Sequence, residues 1–258
     1  MIMESQGLSV VIIAKNAEKT IARCLQSVVN LAKEVIVVTN DCTDNTTEIA
    51  VTYGATIIDH KWEGFCNQKN FAIELAKYEW ILSIDADEEV SKELSSSIKS
   101  FISKGDQRYV GARVSRKTMF INKWITHGDW YPDKKLRIIR NGHGKFVGGS
   151  VHERLEVEGD IVSLRGDLLH YSGESVNDFI RRNIEYSNLS ARDKTNHKKF
   201  EPFAMAVLHS FWKFFRCYII KLGFLDGPEG FFIAKTQSYL SLYKYFLAQN
   251  FYKNQEKQ

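Results

Sequence analysis

The chain has 258 residues, of which 44% are hydrophobic and 12% aromatic, and its formal net charge is +4. This length allows one large domain or two small ones, with enough apolar residues for a substantial core. So mild a charge does not favour a nucleic-acid-binding protein. The four cysteines show neither CxxC pairing nor zinc-type spacing, as is typical of a reducing cytoplasm.

The start of the chain does not resemble a signal peptide, because LSVVIIA (8–14) is better explained as a first strand. No uninterrupted apolar run reaches the roughly 18 residues of a membrane-spanning helix, so none is expected.

The first part of the chain alternates between short apolar runs and helical patterns. Strands are predicted at 8–14, 34–39, 55–59 and 80–84. Helices are predicted at 21–31, after the N-cap Asp44, at 66–77 and at 91–103. This alternation predicts an α/β fold with a parallel, doubly wound sheet, whose ligands bind beyond the carboxyl ends of the strands.

From about residue 106 the pattern changes to strand-like pieces joined by loops rich in Trp, His and Gly. The pieces lie at 108–114, 135–140, 145–149 and 160–166. They predict a mixed extension of the sheet that completes a cleft. A helix is expected over 175–199, and the chain after Pro202 is expected to be helical except for a turn-rich break at 223–230.

An acidic loop follows the fourth predicted strand, in EWILSIDADEEV (79–90). It holds Asp85, Asp87, Glu88 and Glu89. Carboxylates this close raise each other's pKa unless a cation neutralises them, which favours a metal site. Alternatively, the two glutamates occupy the first turn of the helix that begins near Ser91.

Other phosphate-handling motifs fit poorly or are missing. Neither GxxxxGK[ST], GxGxxG nor HExxH occurs in the sequence. An aspartyl phosphatase would usually have Thr or Val where Glu89 stands, and its acidic loop would follow the first strand. The D-x-D pair then favours holding Mg²⁺ or Mn²⁺ against a substrate diphosphate.

Residues 203–222 (FAMAVLHSFWKFFRCYIIKL) contain no acidic residue. On a helix, one stripe is apolar and the opposite side is basic, through His209, Lys213 and Arg216. The apolar stripe comprises Leu208, Phe211, Trp212, Phe215, Ile219 and Leu222. This pattern is typical of a helix that lies in a membrane interface. The alternative is a helix that packs on the domain and exposes its basic side to solvent.

Taken together, these segments resemble the family 2 glycosyltransferases of GT-A fold, in particular bacterial lipopolysaccharide and lipooligosaccharide core glucosyltransferases. The resemblance is carried by LSVVIIAKNAE (8–18), CTDNTTEIAVTYGA (42–55), WEGFCNQKNFAIE (62–74), WILSIDADEEV (80–90), HGDWYPDKKLRIIRNG (127–142), VHERLEV (151–157), LLHYS (168–172) and GFLDGPEGF (223–231). It implies a Rossmann-like mixed sheet flanked by helices with a C-terminal helical extension.

The resemblance also implies an inverting transfer from a nucleotide sugar. It places Asp85 against the nucleotide ribose and Asp87 on a Mg²⁺ or Mn²⁺ ion that bridges the diphosphate. The remaining nucleotide-sugar contacts would come from Lys15, Asn16, Glu18 and Lys69.

One position departs from the family pattern, which usually has an Asp after the second strand. Here Thr39 stands at that position, and it brings no charge. Asp41, two residues further on, is an alternative contact for the nucleotide.

Glu153, in VHER, is the candidate general base, because inverting transfer needs a group to take the proton of the acceptor hydroxyl. The alternative is a surface glutamate paired with Arg154. The competing carboxylates for this role are Asp129 and Asp133, in the HGDWYPD loop.

Several further residues have both a functional and a structural interpretation. His152 is either an acceptor contact or structural, and His170 is either a third metal or diphosphate ligand or a hydrogen-bonded histidine at a strand end. The tryptophans Trp62, Trp124 and Trp130 are sugar platforms or core residues. The arginines Arg137 and Arg182 reach phosphate or form a charged surface.

The expected organisation is a nucleotide-sugar-binding half (1–105), an acceptor-binding half of the same domain (106–200) and a helical, membrane-associating segment (201–258). The expected enzyme is cytoplasmic, peripheral to the inner membrane, and moves glucose from UDP-glucose to a lipid-linked core saccharide. No nucleic-acid partner is expected. The alternatives are another donor sugar or acceptor, or a catalytically silent, membrane-associated sugar-binding protein.

Overall fold

The computed structural model describes residues 6–148, 153–172, 175–196 and 202–255. They form two compact units, the first from residues up to 117 with 133–171, and the second from 118–132 with the residues after 171. The second unit therefore takes in stretches that the sequence-based division placed in its middle segment.

The first unit is built on a parallel sheet in the strand order β3-β2-β1-β4. These strands are β1 (Leu8–Ala14), β2 (Glu34–Thr39), β3 (Thr56–Asp59) and β4 (Trp80–Asp85). The intervening helices are α1 (Ile21–Val28), α2 (Thr46–Thr52), α3 (Phe65–Glu74) and α4 (Lys92–Lys104). The predicted doubly wound arrangement is confirmed, with α1 ending three residues before Leu31.

An antiparallel extension continues the sheet in the order β4-β8-β6-β11-β5, with β7 paired to β6 and a separate β9–β10 hairpin. Its strands are β5 (Glu88–Val90), β6 (Tyr109–Phe120), β7 (Lys123–Trp124), β8 (Asp133–Arg140), β9 (Gly144–Val147), β10 (Arg154–Val157) and β11 (Asp160–Tyr171). The predicted mixed extension is also confirmed.

Both faces of the parallel strands are covered, which explains why their sequences are continuously apolar rather than alternating. In β1, Val10 and Ile12 belong to the apolar cluster on one face, and Val11 belongs to the cluster on the other. Trp80, which begins β4, is almost fully buried and packs edge-on against Phe101 of α4. This rigid core fixes the positions at which the strands end.

The second unit consists mainly of three helices, α5 (Val176–Asn196), α6 (Phe203–Phe215) and α7 (Gly227–Gln255). A π-helical turn (Arg216–Ile220) and a 3₁₀ turn (Gly223–Asp226) connect α6 to α7. The predicted break at 223–230 is therefore too long, because its second half is the first turn of α7.

The second unit has a small aromatic core and a large exposed apolar surface. Phe120, Phe179 and Ile233 are buried in its core. In contrast, many large apolar residues of α6 and the following turns are exposed, namely Phe203, Met205, Val207, Leu208, Phe211, Trp212, Phe215, Ile219, Ile220 and Leu222.

Residues Phe203–Ile220 are helical, and by length and composition alone they could cross a membrane. Only 11% of this segment is buried. The sequence analysis expected no spanning helix, and a test by length and composition alone neither confirms nor contradicts that expectation. The expectation required an uninterrupted apolar run, whereas this segment tolerates Lys213 and Arg216 within it.

Candidate active site

The carboxyl ends of β1 and β2 bring the first predicted nucleotide-binding loop against the loop after β2. The Nζ atom of Lys15 donates to Asn40 at 3.0 Å, and Asn16 accepts from the backbone N–H of Thr43 at 2.8 Å. Glu18 accepts from the backbone N–H of Asn45 at 3.3 Å. The three predicted residues of the first loop are thus fixed at the edge of the sheet where ligands bind.

Asp85, the last residue of β4, is bound by two cations. Its Oδ1 atom lies 2.9 Å from Lys69 Nζ, and its Oδ2 atom lies 3.0 Å from a guanidinium nitrogen of Arg137. The Lys69 and Arg137 side chains are only 4% and 6% exposed. Burial alone would raise the pKa of the Asp85 carboxyl, but Arg137 and Lys69 hold it well below its usual range.

Glu88 is a buried partner in the same cluster. Its Oε1 atom lies 2.6 Å from Arg137, and its Oε2 atom accepts from the Asp85 backbone N–H at 2.9 Å. The alternative that Glu88 and Glu89 occupy the first turn of a helix is wrong, because both lie in β5 and Ser91 caps α4. Burial raises the pKa of Glu88 despite its arginine partner. Lys69 and Arg137 therefore neutralise part of the negative charge in the acidic loop.

Of the two alternatives for Arg137, the charged surface is excluded, because Arg137 is buried in β8, and its contact with phosphate stays a prediction. Sequence periodicity gave no sign of its role. The available signal was a lone arginine in the apolar strand KLRIIR, which needs a buried anionic partner.

The two predicted metal ligands, Asp87 and His170, lie side by side. His170 Nε2 lies 3.2 Å from Asp87 Oδ2, and both side chains are partly exposed. Within the described ranges, no cluster of three or more His, Cys, Asp or Glu side chains is arranged to hold a metal. Mg²⁺ commonly takes one or two protein ligands and completes its shell with phosphate and water oxygens. The pair fits that chemistry, whereas both Asp85 oxygens already bind cations.

Glu153 joins the cluster through Lys69. Its Oε1 atom lies 3.5 Å from Lys69 Nζ, so one buried lysine contacts both Asp85 and the predicted base. The alternative pairing with Arg154 is wrong, because Arg154 instead binds Glu156 at 2.6 Å. One cation thus connects the predicted donor and acceptor carboxylates.

The competing base candidates are already engaged by cations. Asp133 binds Arg116 at 2.8 Å and Lys135 at 3.2 Å, within the first unit. Asp129, in the second unit, lies within 3.0 Å of three cationic side chains. Asp129 is 8% exposed, whereas Asp133 and Glu153 are each 26% exposed, so burial disfavours Asp129 but does not separate Asp133 from Glu153.

Thr39 stands where the family usually has an aspartate, and the structure places a carboxylate, Asp59, beside it. No pattern in the sequence pointed to Asp59. Thr39 and Asp59 are paired at the ends of β2 and β3, and the Thr39 hydroxyl donates to Asp59 Oδ1 at 2.9 Å. The backbone N–H of Asp41 donates to the same oxygen at 3.1 Å. A carboxylate therefore lies at this edge of the sheet although position 39 is neutral.

The predicted sugar and acceptor contacts have different local surroundings. Trp62 is exposed and packs edge-on against Phe65, while Trp130 packs against Phe120 and Phe179 in the core of the second unit. His152 lies outside the described residues. The sugar-binding roles of these residues stay predictions.

Comparison with known proteins places the chain among glycosyltransferases. The family model for glycosyl transferase family 2 matches residues 9–155. A glycosyltransferase of Rickettsia typhi is 34% identical over 87% of this chain and 80% of its own length. A lipopolysaccharide core biosynthesis glycosyltransferase of Rhizobium meliloti, LpsC, is 29% identical over 89% of this chain and 87% of its own length.

Among solved structures, TarS 1–349 of S. aureus in complex with UDP resembles the chain with a TM-score of 0.46 and 16% identity. The match covers 96% of this chain and 91% of that one. The family model spans more than half of the chain, and the relatives match almost all of it. The chain therefore belongs to glycosyltransferase family 2 and has the GT-A fold.

Proposed function

We propose that the protein is an inverting, metal-dependent glycosyltransferase that moves a hexose, glucose from UDP-glucose, to a lipopolysaccharide or lipooligosaccharide core saccharide. The observation that carries this proposal is the contact of Lys69 with both Asp85 and Glu153 at the carboxyl end of the sheet. The similarity to the Rhizobium meliloti core transferase supports the class of acceptor.

On the donor side, Arg137 and Lys69 keep Asp85 ionised and fixed in orientation. A fixed carboxylate at the end of a central strand is suited to accept hydrogen bonds from the ribose hydroxyls. Asp87 and His170 would hold Mg²⁺ or Mn²⁺, which when bound neutralises the charge that develops on the leaving diphosphate. Lys15 and Asn16 border the same edge and would complete the nucleotide contacts.

On the acceptor side, Glu153 would take the proton of the attacking hydroxyl. Lys69 orients this carboxylate from 3.5 Å and would hold it toward the sugar-binding edge. A single-displacement attack of this kind inverts the anomeric centre and gives a β-linkage from an α-linked donor.

The second unit would attach the enzyme to the cytoplasmic face of the inner membrane. The helix α6 exposes more large apolar side chains than the solvent-exposed surface of a soluble protein usually does. Peripheral attachment is favoured over spanning because Lys213 and Arg216, inside the apolar segment, bind Asp129 in the loop before Trp130. A helix through the bilayer would have to carry that ion-paired loop into hydrocarbon.

The rival function is a catalytically silent sugar-binding protein. Its support is Thr39, which is neutral where the family usually has an aspartate. Asp59, hydrogen-bonded to Thr39, offers a carboxylate at that edge and weakens this support.

The deciding experiment is calorimetric titration of UDP-glucose with and without Mn²⁺, followed by a transfer assay on core saccharide. We expect Mn²⁺ to strengthen binding in the wild type and to have little effect in Asp87→Asn. The matched control is Asp106→Asn, which removes an exposed carboxylate elsewhere in the first unit. Metal-independent binding in the wild type would overturn the metal assignment, and binding without any turnover would favour the silent protein.

A further inference from the structure

A cluster of three cations lies around one carboxylate in the second unit. Lys213 Nζ and a guanidinium nitrogen of Arg216 lie 2.9 and 2.8 Å from Asp129 Oδ2, and Lys221 Nζ lies 3.0 Å from Oδ1. The Asp129 side chain is 8% exposed, whereas the three cations are 34%, 40% and 46% exposed. Three positive charges against one negative charge leave a local excess of two.

The cations keep donors available for another anion. A lysine ammonium has three N–H groups and a guanidinium has five, so one contact each with Asp129 leaves most of them unused. The nearest acids along the chain are otherwise engaged, since Asp226 binds His127 and Glu229 binds Lys123. Asp129 therefore gathers the cations without cancelling their charge.

The cluster is set among exposed apolar side chains. Trp212 precedes Lys213, and Ile220 and Leu222 flank Lys221; all three of these apolar residues are exposed. A binding site for a free phosphate ion would not need neighbouring exposed apolar side chains. Cationic groups bordered by aromatic and aliphatic side chains match the boundary between lipid headgroups and acyl chains.

We propose that Lys213, Arg216 and Lys221, gathered by Asp129, form a binding site for the phosphate groups of anionic lipid headgroups. The proposal rests on the membrane attachment proposed above and adds a lipid preference to it. The apolar side chains supply attachment to any bilayer, and the cation cluster makes attachment to anionic bilayers stronger.

The test is sedimentation of the full-length protein with two kinds of vesicle, phosphatidylcholine alone and an equal mixture with phosphatidylglycerol. Each basic residue near an anionic surface contributes about 1 kcal/mol, so Lys213→Gln with Lys221→Gln should weaken binding to the mixed vesicles about 30-fold. Binding to pure phosphatidylcholine should stay the same. The matched control, Lys92→Gln with Lys99→Gln, removes the same charge from exposed positions on α4 and should change neither.

Four outcomes would overturn the proposal. Equal binding of wild-type protein to both vesicles would remove the lipid preference while leaving membrane attachment intact. Loss of mixed-vesicle binding in the control variant would show a general charge effect. Displacement by soluble glycerol phosphate at matched concentration would identify a free phosphate as the ligand. Binding to neither vesicle, together with a stable dimer in light scattering, would show that the apolar surface covers a second copy and would also refute membrane attachment. None of these readouts depends on glycosyl transfer.

Discussion

The two units of the molecule differ in how they place apolar residues and the cations that surround a carboxylate. In the first unit, the apolar strands are enclosed, and Asp85 is held by two cations that are almost fully buried. In the second unit, much of the apolar surface of α6 is exposed, and Asp129 is held by three cations that remain partly exposed. Enclosed charges suit a rigid reaction site, whereas exposed ones suit a surface that meets a partner.

The largest expected effect is on the buried cations of the first unit. Arg137→Met should lower the free energy of unfolding by about 3–5 kcal/mol, because it leaves Asp85 and Glu88 without their shared cation. The control is Arg140→Met on the same strand, which should cost less, because Arg140 binds the single carboxylate of Glu79 and that carboxylate is 25% exposed. Urea unfolding of both variants measures the difference, and equal losses would remove the contrast between buried and exposed pairs.

The next effect concerns chemistry rather than stability. Glu153→Gln should lower kcat by roughly 10²-fold or more, because the amide cannot take a proton from the acceptor. Donor affinity and unfolding should change little, which steady-state kinetics and calorimetry can separate. The comparison variants are Asp129→Asn and Asp133→Asn. If either of these abolishes turnover while Glu153→Gln does not, the base lies in the HGDWYPD loop.

The third effect is a pH dependence of the free energy of unfolding that arises in the second unit. Burial alone would raise the pKa of Asp129, but hydrogen bonds from Lys213, Arg216 and Lys221 lower it to about 2. A carboxyl with a folded pKa below its unfolded value of about 3.9 stabilises the protein fully above that value, and the stabilisation is lost as the pH falls toward 2. The stabilisation should be at most about 2 kcal/mol, because solvent screens the partly exposed cations.

Urea unfolding followed between about pH 5 and pH 2 tests this sign, with Asp129→Asn losing less stability on acidification than the wild type. Parallel acid dependence in the two proteins would show that Asp129 does not stabilise the second unit in this way.

The smallest expected effect is at the edge of the sheet. Asp59→Asn should weaken UDP-glucose binding about tenfold, the order expected for losing one hydrogen bond to a charged group. Asp106→Asn again serves as the control. A variant that binds the donor normally would leave Asp59 as a purely structural partner of Thr39.

The sequence predicted the scaffold better than the contacts of the site. The strands of LSVVIIA and EVIVVT were predictable because burial on both faces requires continuous apolar residues. The strand that contains Glu88 was not predicted, because three residues are too few to show a period of two, and the charge of Glu88 also suits a helix start. Its partner, Arg137, lies 49 residues away, and no local pattern reveals a pairing at that separation.

Candidate site residues could be named from the sequence where the family resemblance marks them, and not where their contacts depend on the fold. The family resemblance picked out Asp85, Asp87 and Lys69, and the structure brings Lys69 against Asp85. Asp59 was missed because its significance appears only when β3 is placed beside β2. The apolar stripe of α6, which is exposed, was predictable from composition, but its cations were assumed to face solvent rather than to converge on Asp129.

The hydrogen bond between Thr39 and Asp59 restricts how this lineage can change. Thr39 is buried, so Thr39→Asp alone would place a second carboxylate against Asp59, and the two like charges would repel. A mutational path back to the common family arrangement must therefore neutralise position 59 first. The two positions are therefore coupled, and the effect of an aspartate at position 39 depends on which residue stands at position 59.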